Sequence, residues 1–446
     1  MAGDPDKTPV RVAVLGCGHV GTALVELLSD PARSDELAER AGLRLEVVGI
    51  AVQDRSRRRS EHPWFPAQLI TDDTKGLVAR DDVDLVVELI GGLSPARELV
   101  ETALSAGRPV VSANKALLAA AGAELAAMAA EHGVDLLYEA AVAGAIPVIR
   151  PLRQSLAGER IVRVMGIVNG TTNFILTRMS EDGSDYGAAL AEAQRLGLAE
   201  RDPTADVEGH DAAAKAAILA SLAFGADVRH ADVSVEGITT VRASDVSFAS
   251  RLGYAVKLLA VAELLDDGAE VSVRVFPAMV PTSHPLATVG GSFNAVFVEG
   301  EASGELMLYG RGAGGRPTAS AVLGDVIDAA RHLRSGSAAP APDRSRPVRF
   351  RPSSAMRSAF YLSIDVADRP GVLAQVARVF GDHGVSIRSM EQMGLADEAR
   401  LVFLTHEAEE GAVTATIDEL QRLHVVDKVG GVLRVVPAAD TAEAGD

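Results

Sequence analysis

VRVAVLGCGHVGTALVELL, residues 10–28, is the stretch on which the fold turns. Val10 to Leu15 is a short β-branched run, and Gly21 to Leu28 places its apolar residues at helical spacing. Between them Gly16-Cys17-Gly18-His19-Val20-Gly21 spells G-x-G-x-x-G. That spacing allows a tight turn at Gly16, approach of a pyrophosphate at Gly18 and close packing of helix on strand at Gly21. The N–H groups at the helix start supply an anion site. A glycine-rich turn alone is equally at home as a structural turn. Here a strand precedes it, a helix follows, and a second strand, Leu43 to Val52, lies where a dinucleotide fingerprint needs one.

Downstream the alternation continues. Val83–Ile90, Pro109–Ser112 and Val134–Glu139 read as strands, and Pro95–Ala106 and Ala116–Glu131 as helices, the last a surface helix. Such alternation predicts α/β architecture with a Rossmann-type, doubly wound parallel sheet over residues 1–143. The second strand ends at Ala51-Val52-Gln53-Asp54, followed by Arg55, Arg57, Arg58 and Arg59. An acidic residue there accepts the ribose hydroxyls of NAD, whereas an arginine pairs with the 2′-phosphate of NADP. The arginines favour NADP(H), with NAD(H) the alternative, and a solvated charged loop is the bland reading of the same residues.

The whole chain has 446 residues, which suggests about three domains. Lys and Arg total 43 against 61 Asp and Glu, for a formal net charge of −18. That balance disfavours nucleic acid and anionic lipid as partners. A single cysteine excludes an internal disulfide and fits a reducing compartment. With no signal-peptide pattern at the N-terminus and no apolar run of membrane-spanning length, the expectation is a cytoplasmic protein.

The middle, residues 144–334, mixes helices with antiparallel strands. Val271–Met279, Phe293–Glu299 and Glu305–Tyr309 read as neighbours in one open sheet, and Ala319–Leu333 as a closing helix. Residues 310–334 are expected to pack back onto the nucleotide domain. Ser112-Ala113-Asn114-Lys115 ends a parallel strand, the edge where open α/β sheets bind ligands. Asn169-Gly170-Thr171-Thr172-Asn173 is a polar turn, and Glu200, Asp202, Asp206, Glu208 and Asp211 form a dense carboxylate run. Asp211 and Lys215, four apart, share one helix face; by spacing alone they make a surface ion pair. In a nucleotide-binding enzyme the same types suit other work. Carboxylates hold an ammonium group, and a lysine gives a proton to a developing alkoxide.

The ordered motifs G-x-G-x-x-G, SANK (112–115), GIVNGTTNFIL (166–176), LGLAERDPTADVEGHDAAAK (196–215) and GAGGRPTASAVLGDV (312–326) resemble homoserine dehydrogenase across almost all of residues 10–334. The resemblance implies an enzyme that interconverts aspartate 4-semialdehyde and homoserine with NAD(P)(H), on the shared route to threonine, methionine and isoleucine. By motif, Lys215 matches the family's acid/base lysine and Lys115 a lysine near nicotinamide and substrate; which of the two transfers the proton stays open. Glu200 and Asp211 match substrate-binding carboxylates, joined by Gly170, Thr171 and Asp206. Cofactor contacts are implied at Gly16, Cys17, Gly18, His19, Val20, Gly21, Ala51, Arg55, Gly91, Asn114, Lys115, Gly197 and Gly314. Gln53 stands where the family often has arginine, so Arg55 and its neighbours would have to meet a 2′-phosphate. Glu139-Ala140-Ala141-Val142-Ala143-Gly144-Ala145-Ile146-Pro147 resembles the family's monovalent-cation loop. Glu139 with the carbonyls of Val142, Gly144 and Ile146 would hold a structural sodium or potassium ion.

Residues 335–352, SGSAAPAPDRSRPVRFRP, break the composition and read as a linker. Beyond them, residues 353–446 show strand-helix-strand-strand-helix-strand order: Phe360–Val366, Val372–His383, Ser386–Gln392, Arg400–Thr405, Val413–Leu423, Val432–Val436. With the turn Asp368-Arg369-Pro370-Gly371-Val372, this resembles the ACT domain, a small-molecule sensor of amino-acid biosynthetic enzymes. The resemblance implies an amino-acid effector at that turn, with threonine the expected feedback inhibitor, and a homo-oligomer, dimer or tetramer. Two rival readings exist. One is a non-catalytic amino-acid sensor that uses the nucleotide only to report redox state. The other is a different NAD(P)-dependent oxidoreductase such as aspartate-semialdehyde dehydrogenase. The latter needs a nucleophilic cysteine, and Cys17 lies inside the phosphate turn.

Overall fold

A computed structural model describes residues 8–56, 66–338, 348–395 and 398–437. Arg57, Arg58 and Arg59, much of the expected linker and the acidic tail fall outside them. The chain forms two compact units, which interleave along the sequence. One holds residues 1–159, 217–230 and 308–347; the other holds 160–216, 231–307 and 348–446.

The first unit is built on a six-stranded parallel sheet of β1 (Val10–Leu15), β2 (Leu45–Ala51), β3 (Ile70–Thr71), β4 (Leu85–Glu88), β5 (Val110–Ser112) and β6 (Leu136–Leu137). Their spatial order is β3-β2-β1-β4-β5-β6, the doubly wound order whose reversal point lies between β1 and β4. The helices are α1 (His19–Ser29), α2 (Pro31–Ala41), α3 (Thr74–Ala79), α4 (Ala96–Ser105) and α5 (Lys115–Glu131). The long helix Gly315–Ser335 joins them, and its Ala319, Val322, Val326 and Ala329 are sealed in one apolar core with Val12, Val14, Leu24 and Ile50. Two expectations need correction. The alanine-rich helix is only half a surface helix, because Leu117, Leu118 and Leu125 are buried. The strand expected over Val134–Glu139 is cut to two residues, since Glu139 already begins a 3-10 turn.

The second unit carries a twelve-stranded sheet. β7 (Ile161–Ile167), β8 (Ser234–Val235), β9 (Tyr254–Leu265), β10 (Glu270–Pro281), β11 (Phe293–Gly300) and β12 (Gly304–Arg311) come from the middle of the chain. β13 (Arg349–Phe350), β14 (Arg357–Ala367), β15 (Ile387–Leu395), β16 (Glu398–Thr405), β17 (Ala408–Glu409) and β18 (Val426–Val435) follow. The main path is β12-β11-β7-β9-β10-β18-β14-β16-β15. The sequence pattern sets β10 beside β11; in the structure β7 and β9 intervene. One edge of β10 pairs along its whole length with β9. The other edge is shared piecemeal by β13 at Glu270–Val271, β8 at Arg274–Val275 and β18 at Ala278–Met279. The helices here are α6 (Gly170–Glu181), α7 (Tyr186–Arg195), α8 (Thr204–Val207), α9 (His210–Phe224, which runs on into the first unit), α10 (Ala243–Arg251), α11 (Val372–Asp382) and α12 (Glu410–Leu420). The last four-stranded portion and its two helices have their own core of Phe360, Leu362, Ile364, Val376, Phe380, Leu401 and Phe403.

Candidate active site

In the first unit the nucleotide site is made from main chain. The Gly16 amide donates to the Ala51 carbonyl at 3.0 Å, and Leu89 N–H donates to Leu15 O at 2.7 Å, so the turn is pinned to the ends of β1, β2 and β4. Gly16 has φ of +97°, and a Cβ on it would stand 2.6 Å from the Leu89 carbonyl oxygen. A Cβ on Gly21 would stand 2.3 Å from the Gly16 oxygen, which is why α1 can begin so close to the strand. Gly18, in contrast, faces open space, and a methyl group there would meet nothing within 4 Å. It caps α1 without any side-chain hydrogen bond, leaving the first-turn amides to an outside acceptor. The residues therefore fit a dinucleotide pyrophosphate. His19 is exposed and Cys17 buried in the turn.

A residue to which the sequence pattern draws no attention organises the next loops. Glu88 ends β4 with no solvent exposure. Its Oε1 accepts the Ile90 and Gly91 amides at 2.8 and 3.1 Å, and its Oε2 accepts the Ser112 hydroxyl at 2.7 Å. Asn114 donates to the Gly92 carbonyl at 2.7 Å and caps α5 by accepting the Leu117 amide. Lys115, the first residue of that helix, is exposed. A lone carboxylate at the end of an apolar parallel strand was the available signal, because a buried charge needs partners. Asp54 turns back on its own loop, accepting both the amide and the hydroxyl of Ser56 at 2.9 and 2.6 Å; Gln53 and Arg55 are exposed.

Also in this unit, Glu139 is buried and accepts the amides of Val148, Ile149 and Arg150 at 2.6, 2.7 and 2.8 Å. Its own amide donates to Asp325, which in turn pairs with Arg150 at 2.8 Å. Burial pushes the Asp325 carboxyl up to about 7. The loop reverses through Ala143 and Gly144, and the Ala145 amide donates to Arg311 O. Glu139 thus anchors a cluster of amides, a role the sequence did not disclose, and Val142, Gly144 and Ile146 follow in the same buried or half-buried loop. Gly314 caps the helix Gly315–Ser335.

The second unit holds a site made from side chains. Lys215 and Asp211 lie on one face of α9, as the spacing implied, but the pair is buried, with side-chain exposures of 11% and 6%. Lys215 Nζ donates to Asp211 Oδ2 at 2.7 Å and to the Val168 carbonyl at 2.7 Å. Asn169 is the hub. Its Nδ2 donates to Asp211 Oδ2 at 2.9 Å and to Asp206 Oδ1 at 2.7 Å. Its Oδ1 accepts the Thr172 amide, so the same side chain caps α6. Thr171 donates to the Leu198 carbonyl at 2.8 Å, tying this turn to the loop after α7. Asn173 points elsewhere, donating to the carbonyls of Val289 and Phe293.

Lys215, Asp211, Asp206, Asn169 and Thr171 are therefore brought together. Glu200 is exposed, its carbonyl accepting from Gln194, and Gly197 is exposed just after α7. Of the three N–H donors of a lysine ammonium, two are fixed among the described residues, leaving a third for a ligand oxygen. That is the geometry of a held proton donor. In the last module, residues 368–371 form an exposed turn, and Val372 opens α11 behind Gly371. Among the described residues, no helix is long and apolar enough to cross a membrane.

Comparison with known proteins agrees. The family model for the homoserine dehydrogenase NAD-binding domain matches residues 16–139, that for homoserine dehydrogenase residues 147–327, and that for the ACT domain residues 360–425. The homoserine dehydrogenase of Mycobacterium tuberculosis H37Rv is 51% identical over 439 residues, covering 96% of this chain and 98% of that protein. That of Corynebacterium glutamicum is 50% identical over 438 residues, covering 97% of each. Among solved structures, the Thiobacillus denitrificans homoserine dehydrogenase superimposes with a TM-score of 0.90 at 39% identity, over 96% of this chain and 99% of that one. A hyperthermophilic archaeal homoserine dehydrogenase, solved with NADPH, gives 0.59 at 30% identity over 73% of this chain and 98% of that one. The glycine turn, the buried lysine–carboxylate cluster and this extent of likeness place the chain in the homoserine dehydrogenase family, as an NAD(P)-dependent oxidoreductase acting on CH–OH and carrying a C-terminal ACT domain.

Proposed function

We propose that the chain reduces L-aspartate 4-semialdehyde to L-homoserine, reversibly, with Lys215 as the proton donor. The observation that carries this reading is a buried ammonium with two fixed acceptors and one donor to spare. The nicotinamide, when bound, supplies the hydride to the aldehyde carbon. Lys215 gives its proton to the alkoxide oxygen that forms, which completes the alcohol. Asp211, Asp206 and Glu200 hold the substrate ammonium, and Gly170 and Thr171 shape the turn beside Asn169. Lys115, exposed at the start of α5, orients nicotinamide and substrate. Replacing each lysine by methionine tests the assignment. Lys215→Met is expected to lose turnover while still binding nucleotide; near-normal turnover would refute it.

NADP(H) is the preferred nucleotide on this reading, because the Asp54 carboxylate is occupied by Ser56 while Arg55 is exposed beside it. Cofactor contacts follow the turn Gly16 to Gly21 with Ala51, Arg55, Gly91, Asn114, Lys115, Gly197 and Gly314. A sodium or potassium ion at Glu139, Val142, Gly144 and Ile146 would be structural. Glu139 Oε1 already accepts two amides and Oε2 one, so about one of the roughly four acceptor positions of the carboxylate is left for the ion. Threonine is the proposed feedback effector at Asp368, Arg369, Pro370, Gly371 and Val372, in a cytoplasmic homo-oligomer. Absorbance assays with NADPH and NADH, with and without millimolar threonine, test these points. Equal rates with both nucleotides would refute the preference, and threonine-insensitive turnover would refute the effector.

A further inference from the structure

The ACT module is joined to the substrate-binding region by more than a strand pairing. Arg434, on β18, is largely buried; its Nε and Nη2 donate to Glu410 at 2.7 and 3.0 Å, and its guanidinium lies 4.7 Å over the Phe276 ring. Its Nη1 donates to Glu236 at 2.6 Å. Glu236 directly follows β8, which shares the edge of β10 with β18. The Glu236 amide donates to Val275 O at 2.8 Å, and two residues on, the Ile238 amide donates to Val207 O at 2.8 Å. Val207 ends α8, the helix that carries Asp206. The fit between these pieces leaves no slack. A Cβ on Gly237 would stand 2.2 Å from the Val207 oxygen and 2.5 Å from the Glu208 Cα. Segment 236–238 and the end of α8 are therefore packed backbone against backbone, so a shift of one presses directly on the other.

We propose that Arg434 is a positioning residue for the Lys215 cluster, acting through Glu236 and the 236–238 segment to set α8, and with it the Asp206–Asn169–Asp211 hydrogen bonds. The proposal rests on the assignment of that cluster as the substrate site. It makes the ACT module part of what holds the substrate carboxylates, whatever effector the module takes.

The test uses the full-length protein, assayed as homoserine oxidation with NADP+. Arg434→Met is expected to raise KM for homoserine by about ten-fold while leaving kcat and KM for NADP+ within about two-fold. Arg242→Met cuts another ion pair to the same module, the 2.8 Å contact with Asp365, and is expected to leave all three near wild type. Glu236→Gln, which keeps the shape and spares the Arg434–Glu410 pair, is expected to reproduce the KM change, and the double variant to add nothing to it. Should Arg434→Met fail to fold, Glu236→Gln carries the test alone. A homoserine KM unchanged in Glu236→Gln, or changed equally in Arg242→Met, or additive in the double variant, would overturn the coupling while homoserine turnover upholds the site. Absence of homoserine turnover in the wild type would overturn the site reading and this proposal together.

Discussion

The nucleotide turn and the lysine cluster are built from different materials. The turn is main chain: glycines pinned by the Ala51 carbonyl, with Glu88 locking the loops beside it. The cluster is side chain: buried Lys215, Asp211 and Asn169 joined to half-buried Asp206 in one network. Main-chain sites depend on what is missing, the Cβ atoms that would fill the space. Side-chain networks depend on what is present. Their failure under mutation should differ accordingly.

The largest expected effect is on the side-chain cluster. Lys215→Met should lower kcat by about a thousand-fold, the span usually supplied by a positioned proton donor, while fluorescence titration shows NADPH binding intact. If nucleotide binding fell along with turnover, the division into two materials would not hold. Next come two glycines of the same turn, which should fail in opposite ways. Gly21→Ala forces its methyl against the Gly16 oxygen and should cost about 2 kcal/mol, lowering Tm by about 5 °C. Gly18→Ala meets only open space, so Tm should stay put while KM for NADP+ rises about ten-fold. Equal loss of Tm in both would mean that the turn is only structural.

The smallest effect concerns a second buried lysine, outside the cluster, that serves as its comparison. Lys257 is buried against Asn173 and Val289 O, and desolvation lowers its ammonium to about 8 from 10.5. Between those pH values the unfolded chain holds more protons than the folded one, so stability should rise with pH from about 8 to 10.5. Lys257→Met should lack that slope in Tm measured across the same window. An identical slope in both proteins would remove Lys257 from the account.

Legibility in the sequence divides along the same line. The nucleotide turn can be read because glycine spacing is local: Gly16, Gly18 and Gly21 act within one turn. The ACT module can be read because its six elements follow one another with clear periodicity. In the middle sheet, β11 pairs with β7 across more than a hundred residues, and local pattern carries no trace of that partnership. Hence the pattern does not disclose β7 and sets β10 beside the wrong strand, while β9 escapes although it forms a local hairpin with β10, because its nearly continuous apolar run lacks the polar alternation of a half-exposed strand. The Asp211–Lys215 spacing is visible, yet its burial is not, since Asn169 reaches it from 42 residues away. Glu88 and Asp325 escape notice for a similar reason. Their work is to receive amides from loops, and amides have no sequence signature.

The divided edge of β10 has a consequence for how the chain is made. Its last occupant, β18, is synthesised about 145 residues after β10 itself. At ordinary translation speeds β10 waits on the order of ten seconds with that stretch of backbone unpaired. Exposed strand edges invite pairing with other chains. A ribosome-bound or prematurely terminated product therefore leaves Ala278 and Met279 without their strand partners, and a stop codon before β18 should lower the yield of folded protein rather than give a normally folded, unregulated enzyme.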